Sequence, residues 1–106
     1  MDQLGLFGST KLRREFEAFH RDNPSVWLLF ERFTYAVIRR GHKRYSARTV
    51  IHRIRWHTDV ETTTYATGFK INNNHSPYYS RMWDEKHPEH AGFFEQRIVK
   101  GGNDVQ

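Results

Sequence analysis

The chain has 106 residues, 37 % of them hydrophobic and 15 % aromatic, and carries a formal net charge of +5. That length suits one small domain with a thin core, in which eight Phe, five Tyr and three Trp supply most of the buried area. The lack of cysteine excludes disulfides, thiolate metal sites and cysteine nucleophiles. No apolar run reaches the roughly 18 residues that span a bilayer, and the N-terminus has no signal-peptide pattern, so a soluble cytoplasmic protein is expected.

Residues 1–9, with Gly5 and Gly8, read as a flexible arm, and 10–99 as a single globular domain. Leu12, Phe16 and Phe19 recur at helical spacing and predict a helix over 10–21. Asp22-Asn23-Pro24 closes it and opens a second helix over 24–40, with Asn23 as the cap and Pro24 in the first turn. Val26, Phe30, Phe33, Val37 and Ile38 give this helix an apolar stripe that Trp27, Leu29 and Tyr35 widen. Such a stripe predicts a central helix packed on more than one side, with the rings as core. Gly41 is placed to end it in the left-handed conformation.

A short basic turn, 42–45, leads to Ser46, the predicted cap of a third helix over 46–58 with Ala47, Val50, Ile51 and Ile54 facing inward. From Asp59 the period changes from helical to two: Val60, Thr62 and Thr64 alternate with more polar residues, and Phe69-Lys70-Ile71 follows a possible turn at 66–68. This predicts a β-hairpin over 59–72. Asn72-Asn73-Asn74 is read as a clasp whose side chains bond nearby main chain, ahead of a fourth helix over 77–86 that buries Tyr78 or Tyr79, Met82 and Trp83. Residues 93–99 suit a last strand or short helix, and 100–106 a flexible tail. The order of elements gives an α+β, winged-helix-like fold: three helices, a hairpin and a fourth helix. A helical bundle with an appended hairpin is the alternative. Trp56 should then be covered, at least in part, by the hairpin or the fourth helix.

Charge is concentrated. The stretch 39–57 holds seven of the seventeen Lys and Arg and none of the twelve acids, leaving the remainder of the chain slightly acidic. A local excess of this kind suits an anionic partner. Lys43, Arg44, Arg48, His52, Arg53 and Arg55 are therefore the candidate nucleic-acid-binding residues, with DNA favoured over RNA; a helix fits the major groove, and guanidiniums reach phosphates and base edges. Glu31, Asp59 and Glu61 are the acids that could neutralise this face from within.

Seven histidines invite a metal reading, above all His75, His87 and His90 beside Asp84, Glu85 and Glu89. Their spacing lacks the i, i+4 pair of a helical metal motif, so surface histidines are expected, and no metal or cofactor. No nucleophile elbow, phosphate-binding glycine loop or carboxylate pair is evident, which argues against an enzyme. The ring-rich segment 70–97 reads first as core, and second as a surface for a protein or for single-stranded nucleic acid.

The succession His20…Asn23-Pro24, Arg53-Ile54-Arg55-Trp56, Lys70-Ile71-Asn72-Asn73-Asn74, Tyr79-Ser80-Arg81, His87-Pro88-Glu89 and Phe93-Phe94-Glu95-Gln96-Arg97 resembles a group of small hypothetical proteins of bacteriophage and prophage genomes, over residues 16–98. That group has no assigned activity, so the resemblance brings no catalytic or binding residue. It implies a phage setting inside a bacterial host. There, a small basic protein would be a regulatory nucleic-acid binder or, alternatively, an inhibitor of host machinery or defence that engages an acidic or nucleic-acid-binding host protein.

Overall fold

In a computed structural model, which describes residues 10–65 and 69–94, the chain forms four α-helices and three short helical turns. They are α1 (Thr10–Asp22), α2 (Pro24–Arg39), α3 (Ala47–Trp56) and α4 (Ser76–Lys86). The expected arm at 1–9, most of the final segment at 93–99 and the tail at 100–106 lie outside the described residues.

α2 is the hub, packing against α1, α3 and α4, while α3 also packs on α4. Its sequence accounts for this. Val26, Trp27, Leu29, Phe30, Phe33 and Thr34 are buried, and Tyr35, Val37 and Ile38 half-buried, so one helix presents apolar surface to three neighbours. α1 contributes Phe16, against which the rings of Tyr78 and Tyr79 lie at 5.1 and 4.9 Å. α4 contributes Tyr78, Tyr79 and Trp83. The ring-rich segment is thus core, and Phe93 and Phe94 join it; Phe94 sits 5.2 Å from Phe30.

The helix ends follow from local chemistry. Asn23 does not cap α2 as expected. Its side chain instead donates to the Phe19 carbonyl at 3.0 Å and finishes α1. α2 ends in a Schellman motif, with Gly41 N–H on the Ile38 carbonyl, His42 N–H on that of Val37, and Gly41 at φ +105°. Ser46 caps α3, accepting from the Thr49 amide at 3.2 Å. Asn72 Oδ1 accepts from the Asn74 amide at 2.8 Å, the expected clasp before α4.

The winged-helix reading is overturned, because the described residues form no wing. No strand occurs among the described residues, and the one bridge is an isolated parallel pairing of Tyr45 with Phe94. Where the first strand was expected, α3 runs on as a π turn, His57–Glu61. Three contacts hold that turn: Glu61 takes Arg53 of α3 at 2.9 Å and His57, the first residue of the turn, at 3.1 Å, and Thr58 donates to the Arg55 carbonyl. Beyond it, Thr62 Oγ1 accepts from the Thr64 amide, so the threonines bond locally and not across a ladder. The fold is helical, and the hairpin alternative falls with the wing.

Candidate nucleic-acid interface

The basic turn and α3 are fixed to the core at both ends. The Schellman motif releases the chain from α2, and the Tyr45 amide donates to the Phe93 carbonyl at 3.2 Å, pinning the far side of the turn. α3 docks through Ala47, Val50, Ile51 and Ile54, all buried, as their spacing predicts. The cations lie on what remains.

The structure sorts the six candidate residues into two sets. Lys43, Arg44, Arg48 and His52 are exposed, and their side chains make no hydrogen bond or ion pair with another described residue. Arg53 and Arg55 are engaged internally. Arg53 pairs with Glu61 and lies over the Phe33 ring at 4.6 Å. Arg55 is half-buried and donates to the Ile71 carbonyl, tying α3 to the segment that enters α4. That bond gives Arg55 a structural role, whatever its remaining N–H groups face.

Of the internal acids, Glu61 draws on this face, and its carboxyl is held below the usual range by hydrogen bonds from His57 and Arg53. Glu31 faces elsewhere, toward His87. Arg32, which no sequence pattern singles out, is exposed on α2 and lies 5.3 Å from the Phe33 ring that Arg53 also covers. Only the packing of α2 on α3 brings these two guanidiniums to one ring.

Trp56 departs from expectation. Among the described residues no strand lies over it, and Trp56 is 56 % exposed, less covered than expected. Every other described Phe, Tyr and Trp is buried or half-buried.

The second cluster of polar groups lies on the opposite side of α2. His87 Nε2 donates to Glu31 Oε2 at 2.7 Å, and its Nδ1 accepts from the Tyr35 hydroxyl at 2.9 Å, with Trp83 stacked on the ring at 4.0 Å. A carboxylate, an imidazole and a hydroxyl in series have the outline of a nucleophilic relay. Such a relay needs an activated hydroxyl, however, and burial together with Glu89 and Glu31 pushes the Tyr35 phenol up. The arrangement serves as a brace between α2 and the end of α4. It also corrects the expectation of surface histidines: His75 is buried, and His20, His57, His87 and His90 are half-buried, leaving His42 and His52 exposed. Among the described residues, no three of His, Asp and Glu converge as a metal site would require. No described helix is long and apolar enough to cross a membrane.

Comparison of the chain with protein-family models, with curated proteins and with solved structures finds no match.

Proposed function

We propose that this protein binds nucleic acid without catalysis, through Lys43, Arg44, Arg48 and His52, with Arg53 and Arg32 at the edge. One observation carries the reading: three candidate cations, Lys43, Arg44 and Arg48, and His52 beside them, on a turn and helix pinned to the core, are exposed with no described acid as partner. Fixed, unneutralised guanidiniums and ammoniums suit phosphate, whose condensed counterions they would release. DNA is the first ligand to test.

Binding of DNA measured across a salt series tests this. Three permanently charged contacts, from Lys43, Arg44 and Arg48, give a log–log slope of about −2 to −3. The triple Lys43→Glu, Arg44→Glu, Arg48→Glu variant should abolish binding and keep the native melting temperature. Affinity that ignores salt, or no binding at low salt, rejects the proposal. The same cations would serve an inhibitor docking on an acidic host protein. A pull-down with and without nuclease separates the two, since a protein partner that survives nuclease supports the inhibitor.

A further inference from the structure

Trp56, the last residue of α3, lies on the side of the helix opposite its buried face. At about 100° per residue, Ala47, Val50, Ile51 and Ile54 gather on the side opposite the indole, while His52 lies within about 40° of it. Arg53 stands on one flank and Arg48 on the other. Val60, one turn further on, is 59 % exposed and extends the apolar spot. A single exposed apolar residue needs no explanation. Here the exposed ring is the sole one among the described Phe, Tyr and Trp, and it stands at the C-terminal end of the basic stretch, with Arg48 and Arg53 on its two flanks.

We infer that Trp56 is a stacking platform for an unpaired base, and that the ligand of this face is single-stranded nucleic acid. This rests on the nucleic-acid reading above and specifies its substrate. The chemistry selects the class. Arg48, with Arg44 and Lys43 behind it, has no described acid as partner and suits an anionic ligand, and the indole offers a flat, polarisable face whose best complement is another flat ring. A nucleotide strand supplies both at the spacing of one base per phosphate. In a duplex the base faces are already stacked on one another, and exposing one costs unstacking energy. A single strand has its bases free. The structure also lacks, among its described residues, the wing that would have gripped a duplex backbone. The acids set the strand's path: Asp59 and Glu61 lie just beyond Trp56, so the phosphates run from the indole back toward Arg48, Arg44 and Lys43.

The test is fluorescence anisotropy at low salt with a labelled oligo(dT) and with a labelled duplex of equal length. It compares the unmodified protein with Trp56→Ala, Trp56→Phe and the triple charge reversal. Trp56→Ala should weaken oligo(dT) binding roughly tenfold and leave duplex binding and melting temperature unchanged. Trp56→Phe, which keeps a ring, should recover most of the loss. Equal oligo(dT) affinity in Trp56→Ala, an equal loss on both ligands, or a wild-type preference for duplex overturns the stacking inference while the basic-face reading stands. Binding of neither nucleic acid overturns both. Vesicles containing half phosphatidylglycerol serve as a control, and a Trp56-dependent affinity for them in place of oligo(dT) also overturns the inference.

Discussion

The two ends of α4 each carry a histidine, and they are built on opposite principles. His87, just past the C-terminus, is half-buried and has both ring nitrogens engaged, by Glu31 and by Tyr35. His75, at the N-cap, is 4 % exposed, and neither of its ring nitrogens has a partner; Phe16, Phe19 and Tyr78 surround it. The same side chain is thus a polar brace at one end and an apolar filler at the other. The difference teaches what an imidazole costs. Buried with partners, it holds two elements in register; buried without them, it contributes ring contacts and carries a desolvation penalty. At His75 that penalty lowers the pKa, with the carboxylate of Glu15 opposing it weakly.

The largest effect should come from removing the brace. His87→Ala deprives the Glu31 carboxylate and the Tyr35 hydroxyl of their shared partner and takes the stacked ring from Trp83. A loss of about 2–4 kcal/mol in urea unfolding is expected. A loss under about 1 kcal/mol would mean that water replaces His87 and that the two ends of α4 do not differ as described.

The unpartnered end should show itself through pH. A histidine whose pKa is lowered by folding binds fewer protons in the native state, so its stabilising contribution is complete above the ordinary value of 6.5. That contribution falls as pH drops from 6.5 toward the depressed native pKa, by at most about 1.4 kcal/mol per pH unit. His20 shifts in the same direction, through burial first and Lys86 second, and adds to the slope. His75→Phe keeps the ring contacts and removes the titration. Its unfolding free energy between pH 5 and 7 should therefore be flatter than that of the unmodified protein. Identical slopes would transfer the effect to other groups.

Two smaller changes sharpen the contrast. Tyr35→Phe deletes the hydrogen bond to His87 Nδ1 and should cost about 1 kcal/mol, read by the same denaturation. Asn72→Ala removes the acceptor of the Asn74 amide at the approach to His75. Because that bond is exposed, about 0.5 kcal/mol is expected, as a shift of a few degrees in melting temperature.

Much of the helical frame was legible because its signals are local. The 3.6-residue recurrence of Leu12, Phe16 and Phe19, the Ser46 hydroxyl before α3, Gly41 after α2 and the asparagines before α4 each act within a few residues of themselves. The stretch after Trp56 was misread for the converse reason. Val60, Thr62 and Thr64 have the β-branched alternation of a strand, but a strand exists only with a partner to receive its hydrogen bonds. Here Glu61 found His57 one turn back and Arg53 two turns back, and the helix kept the segment. The candidate site was legible as a charge excess and no further. Nothing local distinguishes Arg48, which faces solvent, from Arg55, which reaches the Ile71 carbonyl sixteen residues on.

The sequence by itself determined the four helices, the face by which each enters the core, and the concentration of positive charge between Arg39 and His57. Those follow from periodicity, caps and composition, which are properties of neighbouring residues. The tertiary structure alone decided which cations are engaged inside the molecule, which histidine is satisfied, and that Trp56 stays more than half exposed. Those depend on what another element brings within a few ångströms. Exposure and hydrogen-bond partnership arise only once the helices have packed.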